Sequence, residues 1–273
     1  MNAHIQDGRP DSTDERWLDW LMASIRTNRF IPAPPTEDVF VGDGDFRAIG
    51  AEFLGHLVRI GGLRPEDRIL DIGSGIGRLA GPLTQVLDRN GSYLGLDPAR
   101  EGIAWCQKAI TSVYPAFRFR HIDVAHPLYN PGGLLRGASL VLPVGNHSVD
   151  LAVMISVVTH LPPDETSNYC GELARVLAPG GRCFISLFSI DAAGPPATVT
   201  DPRCSFARMG DSPAWSASAT DPLGMIAYDA GWLEAELARV GLVADTLRPG
   251  SWRGIAAPHY QDVIVARLPG GPS

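Results

Sequence analysis

The chain has no surplus of positive charge: its 23 Lys and Arg face 30 Asp and Glu, for a formal net charge of -7 over 273 residues. No general cationic field exists to gather the phosphates of a nucleic acid. The first thirty residues carry Asp7, Asp11, Asp14, Glu15 and Asp19 and lack the apolar run of a signal peptide or membrane helix, so a cytoplasmic protein without a membrane partner is expected. Cysteine is scarce. Cys106, Cys170, Cys183 and Cys204 show neither CxxC spacing nor a neighbouring His pattern, which argues against a zinc site and for buried structural thiols. No HExxH, EF-hand or internal repeat is present. What remains, 45% hydrophobic and 19% charged residues, suits one folded α/β domain with appended pieces.

Residues 14–28 place Trp17, Leu18, Leu21, Met22 and Ile25 at helical spacing, with Ser12, Thr13 or Asp14 as caps, and 31–35 end that helix with three prolines. A second helix is expected over 46–60, closed by Gly61-Gly62, before a turn at Pro65-Glu-Asp67. From Arg68 onward short apolar runs alternate with helical stretches, the pattern of a parallel sheet covered on both faces. Strands are expected at 68–72, 93–97, 117–123, 149–156 and 182–189, and helices at 77–87, 100–113 and 163–177. The stretch 191–223 is rich in Pro, Gly and Ser without a clear period. A helix at 229–240 and strands near 243–248 and at 262–268 then bring the sheet to seven strands.

The first strand runs straight into a glycine turn and a helix: Ile69-Leu-Asp-Ile-Gly73-Ser-Gly75-Ile-Gly77-Arg-Leu-Ala. Glycines at such a crossover let backbone approach a ligand, and the helix behind them presents free N–H groups. A dinucleotide fingerprint GxGxxG would place its third small residue at 78, where Arg78 stands. Asp71, inside the strand, would crowd a pyrophosphate but can accept from a cationic amino group, or simply anchor the loop. Asp97 ends the second strand, where a carboxylate can hold both ribose hydroxyls or act as a turn residue before Pro98. Asp123, at the third strand end, offers an acceptor for an adenine amino group.

These residues resemble the class I S-adenosylmethionine-dependent methyltransferases, over roughly residues 46–268. The segment Leu173-Ala-Arg-Val-Leu-Ala-Pro-Gly-Gly181 is similar to one common in that superfamily. The resemblance implies a Rossmann-like α/β fold, a mainly parallel seven-stranded sheet with helices on both faces, to which the N-terminal helices are added; the stretch 191–223, read from its composition as a lid-like insertion, departs from the family pattern and leaves the acceptor open. The resemblance divides the chain into an N-terminal helical extension (1–62), a donor-binding core (63–190), an insertion expected to shape the acceptor pocket (191–228) and the rest of the core (229–273). Asp71, Gly73, Ser74, Gly75, Gly77, Arg78, Asp97, Pro98, Asp123, Val124 and Ser156 form the candidate donor set, with S-adenosylhomocysteine as product. Residues 119–131, 156–161, 250–254 and 260–262 further resemble a bacterial group associated with glycan modification, which implies a sugar hydroxyl as acceptor. A small-molecule or saccharide acceptor is therefore expected.

Methyl transfer to a hydroxyl benefits from a base, and His160, just past the fourth strand, is the first candidate, with His259 second. A loop histidine that caps the next helix is the competing role for His160. Asp191 could orient it or bind a sugar hydroxyl; Trp252 and Tyr260 could stack on a sugar face or pack in the core. No ligand motif predicts a metal, although Asp123, Asp150, Asp191 and His160 hold the residue types for one. The helix bearing Trp17 and Trp20 could close over the donor, mediate dimerisation or pack on the domain. Natural-product O- or N-methylation, a non-catalytic donor-binding module and a dehydrogenase are the competing functions.

Overall fold

The computed structural model describes residues 15–39 and 44–270, so the expected caps Ser12, Thr13 and Asp14 lie outside the described residues. Its helices are α1 (Glu15–Thr27), α2 (Phe46–Arg59), α3 (Ala80–Leu83), α4 (Arg100–Cys106), α5 (Pro163–Val176) and α6 (Trp232–Arg239). Its strands are β1 (Arg68–Ile72), β2 (Ser92–Asp97), β3 (Phe117–His121), β4 (Val149–Met154), β5 (Leu177–Leu187), β6 (Ser189–Ile190), β7 (Ala207–Arg208), β8 (Ala214–Ser216), β9 (Ile226–Asp229), β10 (Val243–Ala244) and β11 (Asp262–Arg267). A seven-stranded sheet runs β10-β11-β5-β4-β1-β2-β3. Its first five strands in chain order pair in parallel, while β11 is antiparallel to β5 and β10 to β11. The strand order reverses at β1, where the next strand lies to one side and β4 to the other. In such sheets ligands bind beyond the carboxyl ends of the strands at that switch point.

Both faces of the sheet are apolar because both are covered. Leu70, Ile72, Leu96, Ala152, Met154 and Ile185 face α5 and α6. Ile69, Tyr93, Leu151, Val153, Phe184 and Val265 face the layer of α1 to α4. Successive side chains on a strand point to opposite faces, so a doubly covered strand reads as a continuous apolar run. In α1, Leu18, Leu21 and Ile25 are buried while Trp20 is exposed, and Arg59 of α2 pairs with Glu15 and Asp19. Helix α1 therefore packs on the domain through α2. No helix among the described residues is long and apolar enough to cross a membrane.

The elements depart from the sequence reading where local chemistry overrides periodicity. The helix expected over 77–87 is α-helical only at Ala80–Leu83, because Gly77 is left-handed at φ +80° and Gly81-Pro82 weaken the remainder. The helix expected to 113 leaves α geometry after Cys106 and finishes as a π turn at Gln107–Thr111. Strand β4 stops at Met154, short of Ser156, whose φ of +57° ends extended backbone. Strand β5 starts earlier than expected, at Leu177, and carries Pro179-Gly-Gly181 within it. The stretch without a period contributes β7 and β8, and the residues just after it β9, to a second sheet, β6-β9-β8-β7, over a cluster of Phe188, Ile190, Cys204, Phe206, Trp215, Ala227 and Trp252. Strands of two to four residues are too short to show an alternation.

The two ends of the polypeptide joining the first helices to the sheet are tied by a buried ion pair. Arg182 of β5 reaches Asp67 at 2.5 Å and donates to the carbonyls of Gly61 (2.8 Å), Gly62 and Asp150 (3.1 Å), while Asp67 also accepts from the Arg64 N–H at 2.7 Å. Removing one partner leaves an uncompensated charge in a site where both side chains are under a tenth exposed. Asp67→Ala is expected to lose about 3–5 kcal/mol of stability. Urea unfolding measures it, and a loss under about 1 kcal/mol, the range of exposed pairs, would show that the pair is not sealed from water.

Candidate functional site

Strands β1, β2 and β4 end on one side of a cavity of about 350 Å³, within the range of small-molecule sites. After Ile72 the chain turns through Gly73 (φ +77°), whose added Cβ would come within 2.5 Å of Val157 Cγ2. Only glycine lets the β1 and β4 loops approach this closely. The N–H groups of Gly73 and Ser74 donate to the Leu96 carbonyl, folding the loop over the end of β2. Asp97 then clamps it: one carboxylate oxygen accepts from Gly75 N at 2.7 Å and the other from Ala99 N at 2.7 Å. Burial pushes Asp97 above the usual carboxylate range, and these two N–H groups pull it partly back. Beneath it, Asp71 accepts from the Tyr93 hydroxyl at 2.5 Å. Burial pushes Asp71 up to about 7, the Tyr93 bond opposes this and the Asp97 charge adds to it.

At the other end of the cavity, two histidines with different commitments meet. His126 Nε2 donates to the His160 carbonyl at 3.2 Å, and its Nδ1 accepts from the Leu128 and Tyr129 N–H groups at 3.2 and 3.3 Å. Both its nitrogens are spent, which makes His126 a neutral strut. His160 Nδ1 lies 3.1 Å from the Leu223 carbonyl. A carbonyl only accepts, so Nδ1 carries the hydrogen and Nε2 keeps its lone pair. Burial lowers the His160 pKa, the Leu223 bond opposes it, and His126 lowers it further. The ring of Tyr129 stands edge-on to it, centroids 5.7 Å apart. His160 Nε2 has no partner among the described residues, and a neutral histidine with that nitrogen open can remove a proton.

Of the residues singled out from the sequence, Asp71, Gly73, Ser74, Gly75, Arg78, Asp97, Pro98, Val124, Ser156 and His160 line this one cavity. Gly77 does not: a Cβ there would meet Cys106 Sγ and Ile110 Cδ1 at 2.9 Å, so it is a packing glycine. Asp123 stands outside the lining, its carboxylate 3.1 Å from Asn130 Nδ2 and 3.4 Å from Arg100. His259 is buried against His56, with Nδ1 toward the Gln261 carbonyl at 2.8 Å. Asp191 is exposed and bridges Gly194 through the backbone, with no bond to His160. Trp252 is buried between Phe188 and Phe206, and the Tyr260 hydroxyl donates to Asp201 at 2.6 Å, so neither ring offers a stacking platform in the cavity. The four residue types considered for a metal do not converge: Asp150, for one, is held by Arg68 at 2.8 Å, and no group of three such ligands occurs among the described residues.

The sequence reading missed residues that the fold carries in from distant segments. Ile49 and Phe53 arrive on α2, Tyr129 on the β3–β4 connection, Glu165 and Tyr169 on α5, and Gln261 just before β11. Gln261 and Tyr129 lie in segments whose resemblance was noted but whose side chains have no motif of their own.

Comparison with known proteins agrees with this geometry. Residues 70–185, less than half of the chain, match the family described as a methyltransferase domain. An arsenite methyltransferase of Aquipseudomonas alcaligenes is 32% identical over 119 residues, covering 44% of this chain and 32% of that protein. The chain thus spans about a third of the length of that curated relative. Among solved structures, a protein of Pyrococcus horikoshii superposes with a TM-score of 0.57 at 12% identity, covering 85% of this chain and 94% of that one. The 1,6-didemethyltoxoflavin-N1-methyltransferase of Burkholderia thailandensis, solved with its substrate and S-adenosylhomocysteine, gives 0.53 at 17%, covering 92% and 87%. At these identities the structural likenesses establish the fold, which is that of the class I methyltransferases.

Proposed function

We propose that this chain, an S-adenosylmethionine-dependent methyltransferase by its fold and by the family match over residues 70–185, methylates a hydroxyl of a small, largely apolar molecule, with His160 as the base. The observation that carries the hydroxyl reading is the His160 ring: Nδ1 is held by Leu223, Nε2 is uncommitted, and burial keeps it neutral. A hydroxyl must shed its proton as it attacks, whereas a neutral amine attacks without a base. The apolar body is inferred from Phe53, Phe188, Met225, Leu161 and Tyr129 in the lining. A sugar would want a stacking face, and the two rings considered for it are engaged elsewhere. The arsenite chemistry of the curated relative is not carried over, because all four cysteines are buried and none lines the cavity.

The residues fit the donor. Two carboxylates, Asp71 and Asp97, and the glycine turn at Gly73 and Gly75 line one cavity, a set suited to an ammonium and a pair of hydroxyls. Asp97 would hold the ribose hydroxyls, Asp71 the amino group, and Pro98, Ile122 and Val124 the adenine. The donor supplies a methyl group already activated on a sulfonium. The chain's part is alignment, exclusion of water and proton removal. The experiment is methyl transfer from labelled S-adenosylmethionine to a panel of hydroxylated small molecules, with His160→Gln beside the wild type.

The raised pKa of Asp71 gives this site a pH signature. With its folded value at about 7 and an unfolded value near 4, the folded protein holds this proton more tightly. Its contribution to stability is complete below about pH 4 and is lost as the pH rises to about 7. A ligand ammonium favours the carboxylate, so S-adenosylhomocysteine affinity should rise from pH 6 to 8 with release of a proton. Calorimetry in buffers of different ionisation enthalpy reads that release, and Asp71→Asn should remove it. An unchanged pH slope in the variant would take Asp71 out of the donor site.

A further inference from the structure

Three strand ends are joined by a hydroxyl–amide relay among Ser156, Ser186 and Gln261. Ser156, past β4, holds the left-handed φ of +57° that is uncommon outside glycine and gathers at functional sites. Its N–H donates to Ser186 Oγ of β5 at 2.8 Å, and its own hydroxyl donates to Gln261 Oε1 at 3.1 Å. The Ser186 hydroxyl also donates to Gln261 Oε1, at 2.5 Å. Oε1 accepts from two hydroxyls, and Nε2 has no partner among the described residues, on a side chain that lines the cavity.

The backbone under Gln261 is held as firmly. Its neighbour Asp262 is fully buried and accepts from the N–H groups of Gly250 (2.7 Å) and Ser189 (2.9 Å) and from Arg253 (2.8 Å at each oxygen). An amide fixed at both ends is a pre-organised donor pair. Its place in the sheet says what it addresses. The acidic donor candidates Asp71 and Asp97 stand on β1 and β2, and Gln261 leads into β11, three strands from β1 on the far side of β4. At about 4.8 Å per strand the axes of β1 and β11 are roughly 14 Å apart, and the amide meets the loop that carries His160 through Ser156, on the acceptor side.

We propose that Gln261 is a specificity-determining residue whose Nε2 hydrogens recognise a hydrogen-bond acceptor, a carbonyl oxygen above all, next to the hydroxyl that His160 deprotonates. This rests on the methyltransferase reading and narrows its acceptor to a hydroxylated apolar molecule with a neighbouring carbonyl. An enzyme built to donate to such an oxygen discriminates against an analogue lacking it, because donors that the bound analogue covers are then left unpaired.

The test uses the full chain saturated with S-adenosylhomocysteine at pH 8 and two phenols of one shape, 3′-hydroxyacetophenone, whose carbonyl cannot reach its own hydroxyl, and 3-ethylphenol. Calorimetry is expected to show the ketone binding about fivefold more tightly, the yield of one neutral hydrogen bond. Gln261→Glu keeps an acceptor for both serine hydroxyls and places an oxygen where the donors were, so the preference should vanish or invert. Gln261→Leu, which removes the donors without charge, should bring the two probes to parity. Donor-product affinity should stay within twofold in Gln261→Glu, which keeps both serine hydroxyls paired. Equal binding of the two phenols by the wild type, no binding of either, a preference that survives Gln261→Glu, or a fall in S-adenosylhomocysteine affinity in that variant would each overturn the assignment. Failure of the wild type to bind S-adenosylhomocysteine at all would instead overturn the methyltransferase reading.

Discussion

Asp97→Asn should weaken S-adenosylhomocysteine binding nearly as much as Asp97→Ala, by at least a hundredfold in calorimetric titration. Asn is the usual gentle replacement for Asp, but here both carboxylate oxygens accept a backbone N–H, from Gly75 and from Ala99, each at 2.7 Å. An amide has one oxygen, so its NH2 must face one of those N–H groups, donor against donor. The loop then shifts, and the ligand loses charge-assisted bonds from its ribose as well. Two such bonds at about 1.5–3 kcal/mol each account for a hundredfold loss or more. The alanine variant leaves two buried N–H groups unpaired and should also lower stability by about 1–3 kcal/mol per group. NAD serves as the comparison ligand and should not bind, since Arg78 stands where a dinucleotide loop needs a small residue. Retention of product affinity within a few-fold in Asp97→Asn would mean that Asp97 only anchors its turn.

What was legible in the sequence was whatever the chain codes locally. Asp71, the glycine turn and Asp97 fall at strand ends marked by apolar runs, so their convergence follows from the order of the elements. The seven strands were countable before their pairing was known, whereas the order that puts the switch at β1 came from the structure. What was not legible depends on partners far away. His126 reads like any loop histidine until its Nε2 meets the His160 carbonyl, 34 residues on, and Gln261 acquires direction only from Ser156 and Ser186. Trp252 fails as a platform for a related reason: nothing local distinguishes a ring that packs on Phe188 and Phe206 from one that faces a ligand. Asp123 looked equivalent to Asp97 by position, yet its carboxylate turns to Asn130 and Arg100.

His160→Gln is expected to lower kcat by about 10²–10⁴ while leaving S-adenosylhomocysteine affinity unchanged. Its Nε2 is the uncommitted basic atom beside Tyr129, because His126 has spent both nitrogens and His259 is turned to the Gln261 carbonyl. The pH profile carries the sharper information. Burial lowers the His160 pKa below its ordinary value near 6.5, so the active neutral form persists below neutrality. The rate should be level through pH 7 and fall only in the acid range, along a limb that His160→Gln removes. A histidine that merely caps the next helix would lower activity through stability and leave the limb in place. Replacing His126 instead removes the strut under the His160 carbonyl, so it should depress kcat less and keep the limb, since the base itself remains. A wild-type limb that survives His160→Gln would assign the proton transfer to another group, and Glu165, half-buried in the same lining with its pKa raised by burial, would be the next to test.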